Sequence, residues 1–369
     1  MKILLIGECS NVHWTLAEGL RKLGHKVTVL SDGNGWRNYH RDISLTRKYF
    51  KLGGIIYIIR LYVIMIRLRG YDVVQIKNPI FIDIKAKRIF KVYNYLRKHN
   101  KKVFLGGYGN DWYWVYTCCN EKPLRYSDFN IEGLLRTNID ALIQRKEWIG
   151  TDKEALNRYI AKDCDGIITC LYEYWCCYKL HIPNKTHFIP LPIKMNEYAK
   201  DKNTLRNNSK IKFFIGIDKD RNEYKGTDIM LSALKSIKMK YSEKIDIVKA
   251  VSIPFTEYER LMNGCDIILD QLYSYTPSMN ALLAMSKGLV VVGGGEAENY
   301  EIISETELRP IINVLPNYNS VYNELEKLVL HPERIPKLKR QSIEYIRKHH
   351  DYIKVARQYE KLYLNTLNE

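Results

Sequence analysis

The sequence predicts an α/β protein of two domains, each a parallel sheet covered by helices, with a helical tail. Two observations predict it. Short apolar runs closed by Gly, Pro or Asp alternate with segments whose apolar residues recur at three and four positions. This alternation then restarts after the proline-bearing stretch THFIPLPIKMNEY at 186–198. The 369 residues, 46% hydrophobic and 27% charged, suffice for two cores of ordinary size.

The first domain is expected over 1–190. KILLIG reads as a strand, WTLAEGLRKLG as a helix ending at Gly24, and HKVTVLSDG as a second strand, which makes a β-α-β opening. A basic helix over 55–69, the strand YDVVQIKNP, the amphipathic IDIKAKRIFKVYNYLRKHN and the strand KKVFLGG follow. Residues 112–160 are less regular and read as an insertion or loop, before the strand CDGIITC. In the second domain, 191–340, strands are expected at IKFFIGID, KIDIVKAV, DIILDQLY, LVVVGGG and RPIINVLP. Helices fall between them at TDIMLSALKSIKMKY, FTEYERLMNGC and PSMNALLAMSKG, and a helical tail covers 341–369.

Composition narrows the function. MKILLIGECS reads as a buried strand and not as a signal peptide, so a cytoplasmic location is expected. GGIIYIIRLYVIMIRLRG, 53–70, is interrupted by Arg60, Arg67 and Arg69 before a spanning length of about 20 apolar residues is reached. It reads as a helix buried against a sheet with its arginines reaching outward, the alternative being an interfacial membrane helix. The eight cysteines lack zinc-site spacing and read as reduced thiols, and His349 and His350 read as solvated. No metal is expected.

Of the net charge of +17, most lies early: residues 1–102 hold 21 Lys and Arg against 6 Asp and Glu, and residues 191–369 hold 27 against 24. The surplus points to an anionic partner of the first domain, or to a lysine-rich solvated face with none. A dehydrogenase is excluded because ECSNVHW, and not G-x-G-x-x-G, follows the first strand; only Asp32 after the second strand fits that site. A phosphate-binding loop ending in Gly-Lys-Ser/Thr is also absent.

Three stretches together resemble the GT-B glycosyltransferases: GECSNVHWTLAEGLRKLGHKVTVLSDG, YKGTDIMLSAL and TPSMNALLAMSKGLVVVGGGEAE. The resemblance covers nearly the whole chain. It implies two Rossmann-like domains facing a cleft, the first for the acceptor and the second for a nucleotide-diphosphate sugar, with the tail packing back toward the first. In the resembling enzymes an Arg and a Lys offset the diphosphate charge without a metal, and Arg221 and Lys225, followed by Gly226, stand in the matching loop. Thr276 and Ser278 are capping residues and Pro277 suits a first helical turn, so amides and a helix start would face the anion. Asn280 in that turn, and Gly294 and Gly295 after the next strand, complete the expected donor contacts.

The sequence departs from the retaining branch, which carries two glutamates. Leu283 stands where the second would be and Tyr275 where the first would be, and neither supplies a carboxylate. Glu296 and Glu298, after the glycine triplet, are the expected replacements, the alternatives being a branch that binds its donor in another manner and a chain that has lost activity. On the acceptor side, His13 and Asp111 are the competing general bases. The Asp-x-Asp matches at Asp163 to Asp165 and Asp218 to Asp220 read as accidental.

The expected activity is sugar transfer to a glycan or lipid-linked oligosaccharide in surface polysaccharide or capsule synthesis, with no cofactor besides the donor. The basic first domain adds a peripheral contact with an anionic membrane face. Nucleic acid is not expected, since no recognition motif is present. Two alternatives stay open: a nucleotide-sugar epimerase on the same fold, and a non-catalytic binding subunit.

Overall fold

The computed structural model describes residues 1–35, 38–47, 52–195 and 210–369. They form two compact units that do not follow a single cut in the sequence: Met1–Pro123, Ile143–Pro192 and Tyr352–Glu369 make the first, and Leu124–Leu142 and Ile193–Asp351 the second. A segment of the first half is thus built into the second unit, and the last helix of the chain into the first.

The first unit is built on a seven-stranded sheet. Its strands in chain order are β1 Lys2–Ile6, β2 Lys26–Ser31, β3 Ile43–Ser44, β4 Val73–Ile76 and β5 Lys102–Gly107. The hairpin strands β6 Asn130–Ile131 and β7 Leu134–Leu135 lie in the transferred segment, and β8 Gly166–Thr169 and β9 Thr186–Phe188 complete the sheet. Every pair in the order β3-β2-β1-β4-β5-β8-β9 is parallel. Parallel pairing needs helical crossovers that cover both faces, which is why β1 and β4 are almost wholly apolar and buried.

Crossovers run over Val12–Lys22, Gly53–Met65 and Ala86–His99. The segment 112–160 is more regular than its composition suggests, with helices at Trp112–Asn120, Ile139–Trp148 and Asp152–Asp163. The final helix, Tyr352–Asn368, packs on Val12–Lys22. The contact is so close that a Cβ at Gly19 would lie 2.5 Å from the Tyr352 carbonyl oxygen.

The helix Gly53–Met65 corrects the sequence reading. Only Gly53, Tyr57, Leu61 and Met65 are buried, at every fourth position. The opposite apolar face is open to solvent. His349 is also not solvated: its Nε2 lies 2.5 Å from Glu305 Oε2, and His350 is buried beside it.

The second unit holds a five-stranded parallel sheet: β10 Ile211–Ile217, β11 Ile245–Val251, β12 Ile267–Leu269, β13 Val290–Gly293 and β14 Ile311–Asn313, in the order β11-β10-β12-β13-β14. Phe213, Ile215, Met230, Leu234, Ile267 and Leu325 are core residues between the sheet and helices Thr227–Lys240 and Tyr318–Leu330.

Candidate functional site

In the second sheet the chain leaves β10 to build β11 on one side and returns to place β12 on the other. Such a reversal opens a crevice at the carboxyl ends of the two strands, because their following loops diverge. β10, β12 and β13 pair in parallel, so the loops that follow them, 218–226, 270–278 and 294–296, leave from one edge. Those loops hold the donor-side expectations except Asn280 and Glu298, which stand in the first turns of the helices that follow, Met279–Ser286 and Ala297–Ile302.

Lys225 ends the short helix Asn222–Lys225, and Gly226 turns the chain into the helix Thr227–Lys240. Gly226 has φ 72°, a left-handed conformation that a side chain strains, and a Cβ there would lie 2.9 Å from Leu272. The Leu272 amide donates to the Lys225 carbonyl at 3.0 Å, which ties this loop to the one after β12. Arg221 is exposed, its guanidinium 4.8 Å from the centre of the Tyr224 ring.

Asp270, which the sequence reading passed over, follows β12 directly and is buried. Burial pushes its carboxyl above the usual carboxylate range, opposed by the Asn280 amide, which donates at 2.7 Å, and by the Lys225 ammonium. Tyr258 donates to Asn280 Oδ1 at 2.9 Å. Asn280 is therefore pinned inward, between Tyr258 and Asp270. An acid closing an apolar strand, DIILD, was the signal in the sequence.

The turn TPSMN leads into the helix Met279–Ser286, so Pro277 stands before its first turn. Ser278 is at the N-cap position, half-buried, and its hydroxyl makes no capping bond. Thr276 is buried.

Glu296, which is buried, and Glu298, which is half-buried, are both paired within the second unit. Arg125 Nη2 donates to Glu296 at 2.9 Å, Arg125 Nη1 donates to Glu298 at 2.8 Å, and the Tyr126 hydroxyl donates to Glu296 as well. The Arg125 amide donates to the Tyr275 hydroxyl at 2.8 Å, and the Arg125 guanidinium lies 5.0 Å from the centre of that ring. Tyr275 is thus buried, with its hydroxyl and its ring both engaged by Arg125. Gly294 lets β13 pass the neighbouring loop, since a Cβ there would sit 2.2 Å from the Ser274 carbonyl oxygen. At Gly295 the amide donates to Asn313 Oδ1 at 3.0 Å.

A second clamp comes from the same transferred segment. Arg136, buried, donates to the carbonyls of Glu223 at 2.7 Å and Tyr224 at 3.1 Å, and its guanidinium lies 3.4 Å from the centre of the Tyr273 ring. A cation there offsets the negative end of the helix Asn222–Lys225. Arg125 and Arg136 lie so far from their partners in sequence that no local pattern could reveal them.

In the first unit the sheet reverses between β1 and β4. Glu8, after β1, is buried and accepts from the amides of Cys9 at 2.8 Å, His13 at 3.2 Å and Trp14 at 3.0 Å. Burial nevertheless pushes its carboxyl up to about 7. His13 does not fit a general base: it is buried, Nδ1 donates to the Gly7 carbonyl at 2.7 Å, and Nε2 accepts from Gln75 at 3.1 Å. Burial pushes it down to about 4, so the ring is neutral. Asp111 also departs from that expectation. It caps the helix Trp112–Asn120 by accepting from the Trp114 amide at 2.9 Å, and it accepts from the Tyr178 hydroxyl at 2.7 Å. Both oxygens are engaged, and burial raises its carboxyl to about 6.

An open cavity of about 240 Å³ lies instead at the carboxyl ends of β2 and β4, lined by Ser31, Asp32, Tyr57, Lys77, Phe81 and Asp83 among others. The Lys77 stem crosses Gly7, where a Cβ would lie 2.7 Å away. Among the described residues no group of His, Cys, Asp and Glu could hold a metal. Both Asp-x-Asp matches serve local structure: Asp165 pairs with Arg97 at 2.6 Å and Asp163 accepts from Tyr93 at 2.8 Å, while Asp218 accepts from the Asp220 amide at 3.2 Å.

No family model matches the chain, and no curated protein is matched by its sequence. Solved structures are similar over its whole length. A sucrose-phosphate synthase from Thermosynechococcus elongatus is 12% identical with a TM-score of 0.63, covering 99% of both chains. HepE of Anabaena in complex with UDP-glucose is 11% identical with a TM-score of 0.60, covering 98% of this chain and 99% of its own. The UDP-GlcNAc 2-epimerase of Neisseria meningitidis bound to UDP-GlcNAc is 11% identical with a TM-score of 0.52, covering 99% and 100%. Likeness at this identity concerns the fold.

Proposed function

We propose that this chain, which has the two Rossmann-like domains of the GT-B fold, is a glycosyltransferase that uses a nucleoside-diphosphate sugar. One observation carries the reading: Lys225, the start of helix Thr227–Lys240 and the TPSMN turn meet at the reversal between β10 and β12. A cation and helix starts together stabilise a leaving diphosphate, because their charge is fixed before the reaction begins. Lys225 and Arg221 are read as the diphosphate cations, so no metal is called for, and Ser278 with the amides after it as the second anion contact. A uridine diphosphate donor is supported by the ligands of HepE and of the epimerase.

The acceptor is read at the cavity holding Asp32 and Lys77, where an ammonium suits a phosphate-bearing, lipid-linked glycan of surface polysaccharide synthesis. The test is thermal unfolding of the full chain with UDP, GDP, ADP and the corresponding sugars. Selective stabilisation by one diphosphate supports the reading; no shift with any of them sinks it.

The similar epimerase supports a second reading, in which the donor is isomerised without an acceptor. Incubation with one nucleotide sugar alone separates the two: a new epimer favours isomerisation, and product formed only when a glycan acceptor is added favours transfer.

A further inference from the structure

The helix Gly53–Met65 carries two apolar faces. Its inner face packs on the first unit through Tyr57, Leu61 and Met65. On the opposite side Ile55, Ile56, Ile59, Tyr62, Val63 and Ile66 recur at three and four positions, each between 50% and 61% exposed. That spacing makes one continuous stripe, about 20 Å long for the 13 helical residues. Single exposed apolar residues are ordinary, but a contiguous row of this kind is a contact surface. Arg60 and Arg67, seven positions apart, run along one edge of the stripe, with Arg69 just beyond; all three are exposed. No Asp or Glu occurs from 43 to 71.

We propose that this face docks the chain on an anionic phospholipid surface, with the isoleucine stripe at the acyl boundary and the arginines at the lipid phosphates. Arginine suits the edge of such a helix, since its stem lies along apolar surface while the guanidinium reaches the headgroups. A second copy of the chain is disfavoured by charge. A two-fold contact would set Arg60 and Arg67 near their like-charged counterparts, and no acid in 43–71 is there to pair with them.

The inner face adds a consequence. Tyr57 lines the cavity that also holds Asp32 and Lys77, so a docked helix leaves that cavity about one helix diameter, ~10 Å, from the headgroups. A lipid-linked acceptor would reach Lys77 without leaving the membrane. The inference rests on the lipid-linked reading of the acceptor for its purpose, but not for the docking itself.

The test is flotation of the full chain with phosphatidylcholine vesicles, with and without phosphatidylglycerol. The chain is expected to float with the anionic vesicles only. Ile59→Glu combined with Val63→Glu should cut the bound fraction by about tenfold or more, and Arg60→Ser with Arg67→Ser should remove its dependence on phosphatidylglycerol. All these side chains face solvent, so unfolding temperature should hold within a few degrees. The Phe81→Ala variant, changed inside the cavity, should float as the parent does. Absence from the floated fraction, unchanged flotation of the Ile59/Val63 variant, or a dimer in light scattering that this variant dissociates would each overturn the proposal. Nucleotide stabilisation is measured on the same variants, so a failed docking and a failed donor reading give different results.

Discussion

Lys225 and Asp270 face each other across the reversal of the second sheet, and the ammonium opposes the cost of burying the carboxylate. Lys225→Met keeps the stem and removes the charge, so nucleoside diphosphate affinity should fall by about 10- to 100-fold, the range for one lost charged hydrogen bond of about 1.5–3 kcal/mol. Titration calorimetry measures it, and an unchanged affinity would remove Lys225 from the site. Glu8 allows a separate prediction. Its carboxyl is raised from 4.5 to about 7, so the folded state holds the proton more tightly and stability falls as pH rises through this window. The limit for such a shift is about 3 kcal/mol. His13, lowered from 6.5 to about 4, acts in the opposite direction, since stability falls as pH drops through its own window. Glu8→Gln isolates the first effect: the variant should gain on the parent in unfolding temperature between pH 5 and 8. A constant difference across that range would contradict the raised carboxyl.

The elements differ in how far the sequence announces them. β1, β4, β5, β8, β12 and β13 lie within the apolar runs, because a strand covered on both faces is apolar along its length, while the edge strand β11, with Asp246 and Lys249, is only partly buried. The outer face of Gly53–Met65 was misread for the same reason: an apolar residue signals burial whether its cover is protein or something else. Glu296 stands at the N-cap and Glu298 in the first turn of the short helix after β13, yet their partners Arg125 and Tyr126 belong to a segment about 170 positions away. No periodicity encodes that. Arg125→Ala leaves Glu296, which is buried, with one charged partner fewer and should cost about 1–3 kcal/mol. Pairing it with Glu298→Ala in a double-mutant cycle should give a clearly non-additive result in urea unfolding, because the two residues share a bond. Additive losses would show that the transferred segment is held elsewhere, with Arg136 on Glu223 and Tyr224 as the next place to look.

At the scale of the molecule, the first unit is closed by the last eighteen residues of the chain, 352–369. Tyr359 and Tyr363 are fully buried there; the Tyr359 hydroxyl lies 2.6 Å from that of Tyr108, and the Tyr363 hydroxyl donates to Gln75 at 2.5 Å. Gln75 in turn donates to Tyr108 at 2.7 Å and meets His13, so the tail completes a buried polar network whose other members come from β4, the first helix and the residue after β5. His25 and Glu360 add an ion pair at 2.7 Å. Burying Val355, Tyr359 and Tyr363 contributes about 1.5–3 kcal/mol each, and the uncovered network adds its own desolvation cost. That sum rivals the whole stability of an ordinary domain, about 5–15 kcal/mol. A chain ending at Asp351 should therefore lose the cooperative unfolding of its first unit and keep that of the second. Composition makes the two separable: among the described residues all five tryptophans fall in the first unit and none in the second. Tryptophan emission of the truncated chain should be shifted to the red and unfold without a sharp transition, while nucleoside diphosphate still raises a transition followed by circular dichroism. A truncated chain with the emission and midpoint of the parent would show that the tail is a surface addition. Loss of the nucleotide response as well would show that the second unit does not fold independently of the first.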